Sequence, residues 1–182
     1  MEYHDTITLK DGRECVLRNG TEQDGRTQRD VFIQTHGETD YLLTYADETT
    51  MTVEDEAQYL REKSASDREI EILAEVGGIV VGSAGIEAVG TKEKLRHRAE
   101  FGISVIRECW GLGIGRALTQ ACVACARRAG YAQLELDVVA ENARAIALYR
   151  SEGFVEYGRN PKGFRTRDGR WQELELMRLD LD

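Results

Sequence analysis

The sequence predicts a single α/β domain in which a mixed central β-sheet carries helices on both faces. The runs 99–105, 113–128 and 134–138 follow one another as strand, helix and strand, an order that usually joins two parallel strands. Residues 69–86 have a hairpin pattern, and the N-terminal half contains two helix-start signals. A chain of 182 residues suits one ordinary domain. We expect that domain to span residues 1–182, with its core from about residue 15 to residue 181.

The sequence of the N-terminal half predicts one strand and two helices. Residues 15–18 form a short β-type run. Thr21 with Asp24, and Thr52 with Asp55, have the spacing of a capping box. In such a box the side chain of each residue accepts a hydrogen bond from the backbone N–H of the other. The predicted helices run over residues 21–35 and 52–63.

A hairpin and several strands are expected in the rest of the chain. Gly77 and Gly78 separate the runs 69–76 and 79–86, and two glycines suit the two-residue turn of a hairpin. A charged loop at 89–97 follows. The remaining predicted strands are 99–105, 134–138, 154–157 and 174–179, and the predicted turns are 160–163 and 167–170.

A glycine-rich loop opens the helix 113–128, and its sequence is Trp110-Gly111-Leu112-Gly113-Ile114-Gly115-Arg116-Ala117. Glycine lets the backbone approach a ligand closely, and the N–H groups at a helix N-terminus bind phosphate. The loop is predicted to be a pyrophosphate cradle; a plain turn is the alternative. A Walker loop is excluded because no Lys-Ser or Lys-Thr follows the glycines. A dinucleotide fingerprint is excluded because Arg116 or Leu118 holds its last position.

A second motif begins at the end of the next strand and runs over residues 139–154. Asn142 is a good helix N-cap. Gly153 suits the left-handed residue that ends a helix, and Phe154 suits the apolar contact after it. Tyr149 lies two helical turns after Asn142, so the two side chains share one face. A functional tyrosine is one interpretation of Tyr149, and a packing tyrosine with a solvated hydroxyl is the other.

These two motifs together resemble those of the Gcn5-related N-acetyltransferase (GNAT) family. The acyl-CoA signature of that family, Q/R-x-x-G-x-G/A, maps to Trp110, Gly113 and Gly115. Trp110 departs from the usual Gln or Arg. The resemblance covers nearly the whole chain from Cys15 onward. It implies an acyl-CoA N-acyltransferase fold, in which the strands 99–105 and 134–138 splay apart and hold the pantetheine arm between them.

The resemblance also implies an activity and a set of site residues. The chain would be an enzyme that moves an acetyl group from acetyl-CoA to a primary amine by direct attack in a ternary complex. The acceptor would be a small molecule, a polyamine, an antibiotic or a protein N-terminus. Tyr149 would protonate the sulfur, and Glu100 would be the general base. The implied cofactor-binding residues are the strand residues Ile103 and Val105, the loop residues Leu112, Gly113, Ile114, Gly115, Arg116 and Ala117, and Asn142.

Two alternatives stay open at this point. Glu100 is either the base or an ordinary strand carboxylate, solvated or paired with Arg98, and a water chain or another carboxylate could replace it. The chain as a whole is either the enzyme or a CoA-binding regulatory or interaction module without turnover. The retention of Asn142 and Tyr149 favours the enzyme.

The composition limits the classes of partner that the protein could bind. The net charge of −9 argues against nucleic acid and gives weak support to a cationic partner. No apolar run approaches the length of about 20 residues that spans a bilayer, and the start has no secretory pattern, so we expect no membrane partner and a cytoplasmic location. Cys122 and Cys125 have no second ligand pair, so packing thiols and no metal are expected. Because GNAT proteins are often dimers, a homodimer stays possible.

Overall fold

A computed structural model describes residues 1–181, and its centre is one eight-stranded mixed sheet. The strand order is β1-β2-β3-β4-β5-β6-β8-β7. The strands are β1 (His4–Thr8), β2 (Glu14–Asn19), β3 (Ile70–Val76), β4 (Ile79–Ala88), β5 (Arg98–Val105), β6 (Gln133–Val139), β7 (Val155–Arg165) and β8 (Trp171–Asp180). Every neighbouring pair is antiparallel except β5 and β6, which are parallel as expected.

Four α-helices cover the two faces of this sheet. They are α1 (Gly25–Glu38), α2 (Val53–Ala65), α3 (Ile114–Arg128) and α4 (Ala143–Ser151). The capping boxes predicted before α1 and α2 are confirmed: the Thr52 hydroxyl accepts the N–H of Asp55 at 3.1 Å, and the Asp24 carboxylate accepts the N–H of Thr21 at 2.9 Å. The first box encloses a single 3₁₀ turn, Glu22–Asp24, which leads directly into α1.

Side chains along each strand alternate between the two faces of the sheet, so alternate residues contact different pairs of helices. On β5, Ala99, Phe101 and Ile103 belong to the main core with the apolar residues of α3 and α4; we call this side the α3–α4 face. Arg98, Glu100, Gly102 and Ser104 alternate with them and lie on the other side, which we call the α1–α2 face. Helix α1 anchors there through Gln28, whose side-chain amide donates to the Ser83 hydroxyl at 2.7 Å.

The predicted hairpin is confirmed. Gly77 and Gly78 have φ angles of 60° and 82°, and they join β3 to β4 through the pair Val76–Ile79. Positive φ at both positions is the mirror-image turn whose twist matches the flanking strands.

Two expectations about the sheet were wrong in detail. The sheet begins at His4 rather than near residue 15, and Leu9, just after β1, is buried. The turn expected at 160–163 is part of β7, whose pairing with β8 is irregular between Asn160 and Phe164. Strand β7 is at the edge of the sheet, where Pro161 has no ladder hydrogen bond to donate. The turn at 167–170 is confirmed, with Gly169 at a φ of 88°.

The cysteines behave as core residues. Cys15, Cys109, Cys122 and Cys125 are all buried and free. Burial raises the pKa of the Cys122 thiol well above its ordinary value, so that thiol stays neutral and packs as a small apolar group. Within residues 1–181, no helix is both long and apolar enough to cross a membrane.

Candidate active site

A cleft of about 560 Å³ opens where β5 and β6 separate. The two strands pair only through Arg98–Gln133, Ala99–Leu134 and Glu100–Glu135, although β5 continues to Val105. Within residues 1–181, no further ladder pair joins the two strands beyond Glu100–Glu135, and the cleft lies where they separate. It is lined by Tyr149 on the α3–α4 face and by Ser104 on the α1–α2 face, so it joins the two sides of the sheet.

The glycine-rich loop forms one end of this cleft. Gly111 and Gly113 have φ angles of 83° and 105°, a region that only glycine adopts readily. Among residues 1–181, the backbone N–H groups of residues 112–116 donate to no other residue. The N–H of Ala117 instead donates to the carbonyl of Gly113 at 3.1 Å and closes the first turn of α3. The free N–H groups therefore end at Arg116, one residue earlier than expected.

The main chain of β5 presents a second set of free groups to the cleft. Ile106 donates to the carbonyl of Val81 at 2.9 Å, so the groups of alternate residues point towards β4. The main-chain groups of Ile103 and Val105 point the other way, into the gap, as an added strand would require. The Val105 carbonyl is already used, because the indole Nε1 of Trp110 donates to it at 2.6 Å.

Trp110, Lys10 and Arg144 line the cleft, and sequence reasoning gave none of them a role. The Arg144 guanidinium lies 4.5 Å from the centre of the Trp110 ring, a cation–π contact that ties the start of α4 to the loop. Lys10 reaches the loop through its backbone N–H, which donates to the carbonyl of Leu112 at 3.1 Å. Only the departure of Trp110 from the family signature was visible in the sequence.

Helix α4 carries Asn142 and Tyr149 into the cleft, as their spacing predicted. The Asn142 side chain caps the helix by accepting the N–H of Ala145 at 3.2 Å. At the other end, Phe154 donates to the carbonyl of Tyr149 at 3.0 Å and Gly153 donates to that of Arg150 at 3.2 Å. This is a Schellman motif, with Gly153 at a φ of 95°, so both predicted caps are confirmed.

Tyr149 is buried, with 7% of its surface exposed. Burial raises the pKa of its phenol above the ordinary value, so the hydroxyl keeps its proton at neutral pH. Burial is the sole cause of this raised pKa, with no hydrogen bond contributing, and Tyr149 lines the cleft. It is therefore a neutral donor that faces the cleft.

Glu100 lies apart from these residues, on the α1–α2 face, and does not line the cleft. Its cross-strand neighbours are Glu87 and Glu135. Arg98 forms its ion pair with Glu135, so the interpretation that pairs Arg98 with Glu100 was wrong. The pKa of Glu100 is raised, first by partial burial and then by the charges of Asp137, Glu135 and Glu87.

Asp137 shares this environment on β6. Its pKa is raised by partial burial and by the charge of Glu135. Within the described part of the chain, neither Asp137 nor Glu100 forms an ion pair, whereas Glu87 is paired with Lys63 and Glu135 with Arg98. Two uncompensated carboxylates therefore lie beside the gap on the α1–α2 face.

A free N–H cradle at the head of a cleft between two splayed parallel strands defines the acyl-CoA N-acyltransferase class of fold. Within that class, the chain belongs to the acetyltransferase (GNAT) family, whose family model matches residues 39–154.

Individual relatives agree with this assignment. The L-amino acid N-acyltransferase MnaT of Escherichia coli is 30% identical over 111 residues, which are 61% of this chain and 64% of that protein. A GNAT acetyltransferase of Streptococcus pneumoniae has a TM-score of 0.88 at 25% identity, over 91% of this chain and 99% of that one. The yncA protein of Salmonella typhimurium, solved with its cofactor acetyl-CoA, has the same fold, with a TM-score of 0.83 at 22% identity over 92% of this chain and 94% of that one.

Proposed function

We propose that this protein transfers an acetyl group from acetyl-CoA to a primary amine by direct attack in a ternary complex. The observation that carries the proposal is the cleft, because it connects the free N–H groups of residues 112–116 to Tyr149 and then opens onto the opposite face of the sheet. A donor and an acceptor can therefore meet in the gap from two sides. The yncA relative, solved with acetyl-CoA, supports the choice of donor.

The cradle and β5 would hold the donor. The N–H groups of residues 112–116, at the positive end of α3, suit the pyrophosphate. The main-chain groups of Ile103 and the N–H of Val105 suit the amides of the pantetheine arm, which would lie against β5 as an added strand. One N–H of this strand would polarise the thioester carbonyl and stabilise the oxyanion that forms there.

Two side chains would move the protons. The amine nitrogen forms the new C–N bond while the C–S bond breaks, so the amine loses one proton and the sulfur must gain one. Tyr149 donates its phenolic proton to the sulfur and is later reprotonated from solvent. Glu100 accepts the proton of the amine, directly or through water, and its raised pKa makes it a stronger base than an ordinary carboxylate.

The acceptor enters on the α1–α2 face in this proposal. Glu100 and Asp137 leave uncompensated negative charge beside the gap, while Lys63 and Arg98 on the same face are already paired. That balance favours an acceptor that is cationic and carries no carboxylate next to its amine. The relative MnaT is named for L-amino acids, so amino acids are the informative comparison.

The test is acetyl-CoA turnover by the full chain, followed as thiol release. The acceptors are a polyamine, an aminoglycoside, an L-amino acid and a peptide with a free N-terminus. We expect thiol release above the hydrolytic background, with the polyamine and aminoglycoside giving higher kcat/KM than the amino acid. Tight CoA binding without turnover of any acceptor would favour the alternative of a CoA-binding module. Failure to bind CoA would overturn the whole proposal.

A further inference from the structure

Three aromatic rings lie together where β5 and β6 begin to separate, and one of them, Tyr149, lines the cleft. Phe101 is the first residue of β5 beyond its last pair with β6, so it lies where the gap begins. Its ring meets that of Tyr149 edge-on, with centroids 6.1 Å apart and planes at 89°. Phe154 completes the group, with its centroid 6.2 Å from Phe101 and 5.9 Å from Tyr149. We call Phe101, Tyr149 and Phe154 the aromatic floor.

The aromatic floor is rigid. Its three members have 6%, 7% and 2% of their surface exposed, and the edge-on contact of Phe101 with Tyr149 is a favourable ring geometry. Phe154 is fixed by the cap of α4 through its hydrogen bond to Tyr149, and Phe101 is fixed by its pairing with Ile86 on β4. A densely packed group of this kind leaves no room for additional carbon atoms without a displacement of a ring.

The position of the floor relative to the cradle indicates which part of a donor would meet it. The cradle follows the carboxyl end of β5, so a pantetheine arm laid along β5 runs from Val105 past Ile103 towards Phe101. Val105 is four residue steps along the strand from Phe101, a span of about 13 Å. With the sulfur near the Tyr149 hydroxyl, the acyl carbons beyond the sulfur would continue along β5 towards Phe101.

We propose that Phe101 restricts the acyl donor to short chains, so that acetyl fits against the aromatic floor and longer acyl groups meet the Phe101 ring. This inference rests on the proposed function and adds the acyl-chain selectivity of the same site. Phe101 is the member of the floor to vary, because Tyr149 has a proposed catalytic role and Phe154 ends helix α4. One methylene in an apolar pocket is worth about 10- to 200-fold in kcat/KM.

The experiment compares acetyl-, propionyl- and butyryl-CoA with the full-length protein and the best amine acceptor. In the wild type we expect kcat/KM to fall at least about tenfold for each added methylene. In Phe101→Val, the ratio of butyryl to acetyl kcat/KM should rise at least about tenfold, and Phe101→Leu should give an intermediate ratio. The dissociation constant of butyryl-CoA, measured by calorimetry without an acceptor, should fall in the same order.

The matched control is Ile86→Val. Ile86 is buried and lies directly opposite Phe101 on β4, on the side of β5 away from β6, so its truncation loosens the same part of the core without adding space between β5 and β6. The control should keep the wild-type ratio. Thermal unfolding of each variant establishes that it is folded, and Phe101→Leu serves as the test if Phe101→Val does not fold.

Two results would overturn the inference while the proposed function stood. One is a wild type that turns over butyryl-CoA as well as acetyl-CoA. The other is a folded Phe101 variant with the wild-type ratio. A wild type that turns over no acyl-CoA would instead count against the proposed function, and it is recognised before any variant is made.

Discussion

The indole Nε1 of Trp110 donates a hydrogen bond to the main-chain carbonyl of Val105 at 2.6 Å. Trp110 is the residue at which this chain departs from the family signature, and Val105 is the last residue of β5. The bond ends the row of free main-chain groups that β5 presents to the cleft. At Val105 only the N–H is therefore left to pair with a pantetheine arm, and the same bond holds the glycine-rich loop against the end of β5.

Trp110→Phe should weaken the binding of acetyl-CoA. Phenylalanine keeps an aromatic ring for Arg144, which lies 4.5 Å from the Trp110 ring, but it loses the N–H donor. The bond holds the loop against β5, and a single hydrogen bond contributes about 0.5–1.5 kcal/mol, so a displaced loop should raise the KM for acetyl-CoA by at most about 2- to 12-fold, with kcat changed less. Affinity for 3′,5′-ADP, which has no pantetheine, should stay constant. Unchanged CoA affinity in a folded variant would make Trp110 a packing residue only.

Gly113→Val should abolish CoA binding and cost some stability. Gly113 has a φ of 105°, and nothing lies within 4 Å of the position of an added Cβ, so a side chain there projects into the cradle. Strain at positive φ costs about 1–3 kcal/mol.

Gly130→Val is the matched control for Gly113→Val. Gly130 has a φ of 76° and equally open surroundings, but it follows the far end of α3. It should suffer a similar loss of Tm and keep CoA affinity. A folded Gly113→Val protein with normal CoA affinity would exclude the cradle.

Tyr149→Phe should lower kcat at least about tenfold and leave the affinity for acetyl-CoA nearly unchanged. Phenylalanine keeps the contacts with Phe101 and Phe154 and removes only the proton donor, and acid–base groups are typically worth about 10²- to 10⁴-fold. Tyr131→Phe is the control, because Tyr131 is also buried and its hydroxyl has no partner within residues 1–181. If chemistry is rate-limiting and kcat is unchanged, the packing interpretation of Tyr149 holds.

Glu100→Gln should lower kcat, preserve CoA binding and change the pH profile. The pKa of Glu100 is raised by burial and by neighbouring carboxylates, so in the wild type activity should rise with pH as Glu100 loses its proton. In the variant this limb should move towards the pKa of the free amine.

Asp137→Asn separates catalysis by Glu100 from simple attraction of the acceptor. If Asp137 acts only through its charge, its loss should raise the KM for cationic acceptors and leave the pH limb in place. A Glu100→Gln protein with wild-type kcat, KM and pH profile would leave Glu100 as an ordinary strand carboxylate.

Glu71→Gln should stabilise the protein above neutral pH. Glu71 is buried under α1 and α2, and burial raises its pKa from 4.5 to about 7. The folded state therefore binds more protons than the unfolded chain between these values, and the free energy of unfolding falls as pH rises through that window. At about 1.4 kcal/mol per pH unit, the loss is at most about 3.5 kcal/mol.

Urea unfolding at several pH values measures this effect. The Glu71→Gln amide can also donate to the Gln28 side-chain oxygen, which is buried without a partner within the described residues. Glu62→Gln, on the exposed side of α2, should leave the pH dependence as it is in the wild type. If the free energy of unfolding of Glu71→Gln falls as steeply as that of the wild type between pH 4.5 and about 7, Glu71 ionises at the same pH in the folded and unfolded states.

The elements that the sequence predicted well are those held by contacts between near neighbours. The capping boxes at Thr21 and Thr52, the Gly77-Gly78 turn and the Asn142 and Gly153 caps of α4 each involve residues within five positions of one another. Their hydrogen bonds depend on local backbone geometry, which residue type determines directly. The glycine loop belongs to the same group, because its free N–H groups follow from its place at a helix start.

By itself the sequence predicted the order of the elements from β2 onward, the helix caps, the glycine-rich loop at the start of α3 and the placement of Asn142 and Tyr149 on one face of a helix. Only the tertiary structure decided that Asn160–Gly163 continues an edge strand, that Arg98 pairs with Glu135, and that Phe101 packs against Tyr149. Each of these depends on which strands are neighbours and where they separate. Strand neighbours are set by the burial of the whole sheet between two helical layers, and no local pattern contains that information.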